Sequence, residues 1–452
     1  MFTESSPLLA TTKQTTRPPW LQHSSASGGT GSGALSWLWL WGTVDSRTED
    51  GNEKALLALG NVIVGPPPVA EGSEEDAVDV PAAFAEALDV EIDSHGNYIH
   101  TIAIRNKGVG SKSAGNNGTS PDAGNTDVRT PRRSLVLTHG FFAGVGFFFR
   151  NYHGLSQVEG WDVYAIDWLG MGRSSRPTYR SCLNEGGDRR AEHAIDYFVE
   201  SLEAWRQRMG IDQMMLCGHS FGGYMVARYA LKYPQHVEKL VLLSPIGVPE
   251  APPDLENKIW QGFEPTHRRL HPKEGDYRMT SNNEAPVYDG KPSVQRLLLF
   301  RTSLLMWDRN YSPQWVVRLF GPFGRRLVNW YIERFSLLTA EQRSGMAAYA
   351  HQIALLPEST ASSLGDFLRP GAFARQPLIN LMSDISMPVV FFYGSHDWVG
   401  HTGGEEIIKR VDGRVDTRLY HISNASHNMH IDNPVDFNRY LISEMTRAAD
   451  SS

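Results

Sequence analysis

A serine between two glycines, in the pentad GHSFG at residues 218–222, lies where a buried-strand pattern changes to a helix pattern. Residues 214–216 are apolar, and residues 224–231 carry apolar side chains at helical spacing. In a sharp strand-to-helix turn of this kind the serine is presented as a nucleophile, and the glycines avoid collisions with neighbouring chain. The pentad alone fits an ordinary tight turn equally well, so the role of Ser220 depends on the rest of the chain.

The two partners that a nucleophilic serine needs follow later strands. A histidine must take the hydroxyl proton, and a carboxylate must orient that imidazole. Residues 389–392 read as a strand and are followed by Asp397, while 419–422 read as the next strand and precede His427. The chain order Ser, acid, His, with the acid and the histidine at the C-terminal ends of later strands, is that of a hydrolase sheet. We therefore predict that Ser220 attacks, Asp397 orients and His427 shuttles the proton.

Acyl transfer also needs donors for the oxyanion that develops on the substrate. One predicted donor is the backbone N–H of Phe221, directly after the serine. The other is the backbone N–H of Phe141, in the loop after the strand at 134–138. His219 and Asp167 are interpreted as structural, the first packing beside the turn and the second binding nearby amides.

The elements that must hold these residues alternate between strand and helix. A helix is predicted from 192 to 209, with its apolar residues on one face, and a hairpin within 90–106 turns at 95–97. Strands are predicted at 134–138, 161–166, 214–216, 237–243, 388–392 and 419–422. This alternation predicts an α/β protein with a mostly parallel central sheet covered by helices on both faces.

The chain divides into four regions. Residues 1–88 are predicted to be disordered or to serve targeting, and 89–248 to form the first part of the core, with a flexible Gly/Ser/Asn-rich loop at 108–131. Residues 249–383 interrupt the alternation and predict an inserted helical cap, and 384–447 complete the core. An insertion of that length between two sheet strands is typical of a functional lid.

Composition narrows the function classes. The net charge of −7 and the lack of a Lys/Arg block argue against nucleic-acid binding. The two cysteines, Cys182 and Cys217, cannot build a disulfide scaffold and indicate a reducing or neutral compartment. No apolar run is long enough to predict a transmembrane helix. The acid-poor residues 1–44 fit a transit peptide or disorder, and the tryptophans within 34–41 suit either a membrane interface or docking on the domain.

Several motifs together resemble one branch of the α/β-hydrolase superfamily. The branch contains lysophospholipid acyltransferases, N-acyl-phospholipid lipases and the fungal mitochondrial cardiolipin-specific deacylase. The resemblance runs from about residue 90 to 445. One branch of the family lacks the nucleophilic serine and acts as a lipase co-activator, whereas this chain has Ser220 at that position and so resembles the catalytic members. The motifs lie at 138–146, 167–177, 218–223, 321–324 and 427–432.

Asp432 has two interpretations. With His427 it fits the H-x-x-x-x-D pattern that the resemblance links to acyltransferase activity. Alternatively, it belongs to a helix start in which Asn433 is the N-cap, Pro434 the first helical residue and Asp436 the third.

The cap region is locally basic, with seven arginines and two acids between residues 296 and 335. These arginines are interleaved with aromatic residues, a pattern that suits contact with anionic lipid. Guanidinium groups also bind phosphate through paired donors. Alternatively, the arginines lie on the solvated faces of ordinary helices. The candidate headgroup contacts are Arg301, Arg309, Arg318 and Arg325.

The sequence thus predicts a serine lipid hydrolase, a phospholipase or deacylase that acts on phospholipids such as cardiolipin through an acyl-enzyme. A lysophospholipid acyltransferase using the same residues, an aminopeptidase-like hydrolase and a non-catalytic lipase co-activator remain alternatives. No cofactor, metal site or nucleic-acid partner is expected. The expected location is intracellular and peripheral to membranes, mitochondrial or else in the cytosol or at lipid droplets.

Overall fold

The computed structural model of the protein describes residues 46–65, 83–105, 132–181, 186–253, 255, 311–357 and 359–450. The strands are β1 (Val62–Val64), β2 (Ala83–Glu91), β3 (Tyr98–Arg105), β4 (Arg133–Thr138), β5 (Trp161–Ile166), β6 (Met214–His219), β7 (Val237–Leu243), β8 (Leu368–Arg369), β9 (Phe373–Ala374), β10 (Val389–Gly394) and β11 (Thr417–Ile422). The helices are Ser46–Ala58, Tyr152–Ser156, Gly187–Met209, Phe221–Lys232, Pro313–Leu319, Gly324–Ile332, Ala340–Leu355, Leu364–Phe367, Leu378–Leu381, Thr402–Val411, Met429–Asp432 and Pro434–Asp450. The predicted loop at 108–131, the tryptophans of 34–41, Cys182, Arg301 and Arg309 lie outside the described residues.

Nine strands form one sheet in the order β1-β2-β3-β5-β4-β6-β7-β10-β11. The pairs β2–β3 and β3–β5 are antiparallel and the other pairs are parallel. All six residues of β6 are buried, as a strand covered on both faces requires. The predicted fold class, a mostly parallel sheet flanked by helices, is confirmed.

Alternate side chains of the strands pack into two separate hydrophobic cores, one on each face of the sheet. In β4, Val136 belongs to the core beneath helices Gly187–Met209 and Phe221–Lys232, whereas Leu135 and Leu137 belong to the opposite core. The opposite core is closed in part by Phe437 of the final helix. This alternation follows from the two-residue period of strand side chains. The residues of the site follow the carboxyl ends of β6, β7, β10 and β11.

The N-terminal boundary differs from the prediction. Residues 46–58 and 62–64, assigned to disorder or targeting, form a helix and an edge strand, and β2 begins at Ala83 rather than near Val90. Leu56 and Leu57 are fully buried against the sheet. The helix escaped sequence analysis because it is mostly polar and buries few apolar side chains, so its periodicity is weak.

A buried charge network fastens this N-terminal helix to β3. His100 lies between Glu53 Oε1, 3.0 Å from Nε2, and Asp89 Oδ1, 2.8 Å from Nδ1. Arg173 also contacts Glu53 Oε1, at 2.9 Å. Burial alone would lower the pKa of His100, but the charge of Glu53 and the hydrogen bonds to Asp89 and Glu53 raise that pKa to about 10. His100 is therefore an imidazolium at neutral pH.

Replacing Glu53 by glutamine is expected to lower the free energy of unfolding by about 3 kcal/mol at pH 7, because the buried His100 and the partly buried Arg173 both lose the charge of Glu53. The raised pKa of His100 contributes stability that is fully present below pH 6.5 and is lost as pH rises towards 10. The difference in free energy of unfolding between wild type and Glu53→Gln, measured by urea unfolding, should therefore become smaller from pH 7 to pH 10. A gap that stayed constant over that range would contradict a charged His100.

Candidate active site

Ser220 occupies a strained turn between β6 and helix Phe221–Lys232. Its backbone has φ 54° and ψ −114°, which non-glycine residues rarely adopt, and its N–H donates to Leu243 O at 2.8 Å. A Cβ at Gly218 would lie 2.5 Å from Gly222 O, and one at Gly222 would lie 2.6 Å from His139 O. Both glycines are therefore required sterically, as predicted for a nucleophile turn.

The three residues predicted to cooperate lie within hydrogen-bonding distance of one another. His427 Nε2 is 2.9 Å from Ser220 Oγ, and His427 Nδ1 is 3.1 Å from Asp397 Oδ1. Asp397 follows β10 and His427 follows β11, so the parallel sheet brings both loops to the edge where β6 ends. This geometry allows proton transfer from the hydroxyl to the imidazole.

The carboxyl group of Asp397 is ionised in its buried position. Burial raises its pKa, but the His427 charge and hydrogen bonds from His427, Ser244 and the Val399 N–H outweigh burial and bring the pKa below its usual range. The side chain of Asp397 is only 2% exposed, so its charge acts on His427 with little solvent screening. An ionised carboxylate can hold the imidazole with its Nδ1 proton towards the acid.

Ser244 is a site residue that sequence analysis missed. It directly follows β7, is fully buried and has φ 48°. Its hydroxyl donates a short hydrogen bond to Asp397 Oδ2 and lies 3.0 Å from His427 Nδ1. The only sequence signal is its position after a strand on the same sheet edge. Ser244 contacts both partners of the acid–base pair and is a positioning residue.

Substituting Ser244 by alanine is expected to lower kcat about tenfold and leave KM nearly unchanged, because one hydrogen bond that orients Asp397 and His427 is lost while the substrate pocket is kept. Steady-state kinetics on a soluble ester would measure this. Ser423→Ala, at an exposed serine after β11, is the matched control. Equal rates for the two variants would rule out the positioning role.

The loop after β4 lies directly against the nucleophile. A Cβ at Gly140 would be 3.1 Å from Ser220 Cβ, and the chain then turns sharply, with Phe142 at φ 64°. The rings of Phe141 and Phe221 meet edge-on, with centroids 6.3 Å apart. The backbone at Gly140, next to Phe141, therefore lies close to Ser220, where the oxyanion would form. That the backbone N–H groups of Phe141 and Phe221 bind this oxyanion stays a prediction.

Buried polar residues around the turn have structural partners. His219 Nε2 is 2.9 Å from His427 O. Asp167 accepts hydrogen bonds from the backbone N–H groups of Val145 and Arg173, both at 2.7 Å, as its interpretation as an amide-binding residue requires. Cys217 is a fully buried free cysteine on β6. These residues shape the turn and the loops around it.

Asp432 holds the loop that carries His427. Its Oδ2 accepts from Ser426 N at 2.9 Å and from Ser426 Oγ at 2.6 Å. Asn433 Oδ1 accepts from Asp436 N at 3.2 Å, so Asn433 caps the final helix and Pro434 begins it. The contacts of Asp432 favour its structural interpretation.

Of the four predicted headgroup arginines, the described part of the chain includes two. Arg318 is partly buried and donates to Ala354 O and Leu356 O at 3.2 and 2.9 Å, and burial lowers its pKa to about 10. Arg325 is exposed on helix Gly324–Ile332. The guanidinium group of Arg318 is therefore engaged by the carbonyl oxygens of Ala354 and Leu356, whereas Arg325 faces solvent.

Comparison with known proteins decides the family. The family described as alpha/beta hydrolase fold matches residues 133–434. The chain belongs to this family. The match includes the sheet edge that carries Ser220, Asp397 and His427.

The relatives of this α/β hydrolase carry names that describe lipid enzymes. A "1-acylglycerol-3-phosphate O-acyltransferase" of Arabidopsis thaliana is 32% identical over 70% of this chain and 67% of its own. A "(Lyso)-N-acylphosphatidylethanolamine lipase" of Mus musculus is 30% identical over 71% of this chain and 80% of its own. A pig "1-acylglycerol-3-phosphate O-acyltransferase ABHD5" is 28% identical over 67% of this chain and 75% of its own. The predicted kinship with lysophospholipid acyltransferases and N-acyl-phospholipid lipases is confirmed.

Within the described ranges, no helix combines the length and apolar content needed to cross a bilayer.

Proposed function

We propose that this α/β hydrolase is a serine lipid hydrolase that cleaves fatty-acyl esters of phospholipids through an acyl-enzyme. The observation that carries the proposal is the 2.9 Å contact between His427 Nε2 and Ser220 Oγ, with Asp397 Oδ1 3.1 Å from the other ring nitrogen. This arrangement supplies a nucleophile, a general base and an orienting acid in the geometry that acyl transfer needs.

The reaction proceeds in two steps, acylation of Ser220 and hydrolysis of the acyl-enzyme. Ser220 Oγ attacks the ester carbonyl while its proton passes to His427 Nε2, and the tetrahedral oxyanion is held by backbone N–H groups of Phe221 and Phe141. His427 then protonates the leaving alkoxide of the lysolipid. Water, deprotonated by His427, attacks the acyl-enzyme and releases the fatty acid, and the proton returns to Ser220. Asp397 stays ionised throughout and stabilises the imidazolium.

Acyl transfer is the second candidate function. If a lysophospholipid hydroxyl replaces water in the second step, the same residues produce a phospholipid instead of a fatty acid. The names of the plant and pig relatives favour this outcome, whereas that of the mouse relative favours hydrolysis. The intact Ser–His–Asp arrangement speaks against a purely co-activating role, and the basic cap speaks against an aminopeptidase.

Product analysis separates these functions. Purified protein would be incubated with vesicles containing cardiolipin or N-acylphosphatidylethanolamine, with and without labelled lysophosphatidic acid. Free fatty acid and lysolipid indicate hydrolysis, and labelled phosphatidic acid indicates transfer. Turnover of amino-acid esters alone, or no turnover of any substrate, would overturn the lipid assignment.

Peripheral contact with an anionic membrane is supported by an exposed apolar cap surface. Arg325 and Arg326 are exposed among its residues, and the Arg326 guanidinium lies 5.3 Å from the ring centroid of Phe323. Apolar side chains interleaved with cations suit an anionic bilayer surface, in mitochondria or on another intracellular membrane. The residues of the apolar cap surface are Leu319, Phe320, Phe323, Leu327, Trp330 and Leu337.

The double variant Phe323→Ser with Trp330→Ser should weaken binding to anionic vesicles about tenfold or more, because both side chains, 59% and 61% exposed, are available to enter the interface. Vesicle co-sedimentation would measure it. Val435→Ser is the matched control, since Val435 is 75% exposed but lies on the final helix. An equal loss of vesicle binding in the double variant and in Val435→Ser would argue against a specific contact between the apolar cap surface and the membrane.

A further inference from the structure

We propose that His401, Glu405 and His421 form a Zn²⁺ site beside the loop that carries Asp397. Their ligand atoms all lie within 4.8 Å of one another. His401 and Glu405 are one helical turn apart, at the N-cap and in the first turn of helix Thr402–Val411. His421 comes from β11, the edge strand of the sheet. Two imidazoles and one carboxylate are a ligand set that zinc prefers.

The geometry requires only side-chain rotation to close around a metal. His401 Nδ1 lies 3.1 Å from Glu405 Oε1, and the His401 and His421 rings are perpendicular with centroids 4.8 Å apart. Tetrahedral zinc holds nitrogen and oxygen ligands about 3.3 Å from one another. His401 and Glu405 are 39% and 41% exposed and His421 is exposed, so the side chains can move by this amount and the ion can enter.

The hydrogen bonding of the site also leaves a ligand atom available. His401 Nδ1 is a buried atom without a hydrogen-bond partner, because its approach to Glu405 lacks hydrogen-bond geometry.

The other group of potential ligands is less suited. Glu53, His100 and Asp167 lie equally close together, but both ring nitrogens of His100 already contact carboxylates, Asp89 and Glu53. His100 is therefore protonated and cannot offer a lone pair. In the group at His401, one ring nitrogen makes no hydrogen bond, and the side chains of His401 and Glu405 are partly exposed to solvent.

A bound ion would connect the active-site loop to the sheet edge. His401 ends the segment that begins after β10 and contains Asp397 and Trp398, whose ring lies 5.0 Å from that of His427. Zinc held by His401 and His421 joins this segment to β11, so occupancy should raise the stability of the fold by mass action. Three protein ligands leave one position for water.

The test is calorimetric titration of Zn²⁺ into the full chain, purified without a histidine tag and stripped with a chelator. His421→Ala and Glu405→Gln should each weaken one binding event roughly tenfold or more and remove its rise in unfolding temperature. His95→Ala, at an exposed histidine of the β2–β3 turn, should titrate like wild type. Co²⁺ in place of Zn²⁺ should give the absorption of a tetrahedral site in wild type and lose it in His421→Ala. Identical titrations of His421→Ala and wild type would overturn the proposal.

Discussion

Replacing Ser220 by alanine is expected to reduce kcat for ester hydrolysis by roughly 10⁴- to 10⁶-fold, while the folded structure is retained. The Ser220 hydroxyl lies 2.9 Å from His427 Nε2 and is the proposed attacking group, and alanine differs from serine only by the lost oxygen. Residual turnover would come only from the oxyanion donors and substrate binding. Initial rates on a chromogenic acyl ester and on phospholipid vesicles would measure the loss.

The matched control for this experiment is Ser395→Ala. Ser395 is an exposed serine after β10, at the same sheet edge, and its described backbone bond is N–H to Ile422 O. It should keep nearly the full rate. Circular dichroism and thermal unfolding of both variants separate lost chemistry from lost structure. A Ser220→Ala protein that kept more than about a hundredth of the wild-type rate would exclude the proposed nucleophile.

Asp397→Asn is expected to lower kcat about 10⁴-fold. The amide keeps the shape of the side chain but lacks the charge that stabilises the His427 imidazolium, and it can present an N–H to Nδ1 and favour the wrong tautomer. Because the pKa of Asp397 is held below its usual range, the wild-type carboxylate stays ionised well into acid, and its loss matters at every working pH. Rate profiles between pH 5 and 9 would test this.

Asp432→Asn provides the control for that measurement. Asp432 is a second carboxylate near His427, but its contacts are to Ser426. We expect a rate loss of about tenfold or less, in equal proportion for hydrolysis and acyl transfer, because an amide oxygen still accepts from Ser426. A selective loss of acyl transfer would instead support the acyltransferase interpretation of the H-x-x-x-x-D pattern.

The sheet was predictable wherever strands are buried on both faces. The bounds predicted for β5 and β7 agree with the structure at both ends. Each strand is mostly apolar and is polar only near its start, at Asp162 in β5 and at Glu238 and Lys239 in β7. The helix at 46–58 and the early start of β2 were missed. Their stability comes from tertiary contacts such as Glu53 with His100, which no local pattern records.

The site was predictable to the extent that sheet topology orders it. Ser220, Asp397 and His427 follow β6, β10 and β11, and a parallel sheet brings the loops after these strands to the same edge. Ser244 belongs to no motif, and its role depends on a left-handed backbone that points its hydroxyl at Asp397. The grouping of His401 and Glu405 with His421 depends on packing of a helix against the edge strand, which sequence spacing does not encode.

The most direct test of the proposed chemistry is covalent labelling with a fluorophosphonate, followed by peptide mass spectrometry. Such probes react with a serine whose proton is removed by a neighbouring base. We expect one stoichiometric adduct, located on Ser220, which disappears in Ser220→Ala and forms much more slowly in Asp397→Asn. An adduct on another residue, or labelling that persists in Ser220→Ala, would contradict it.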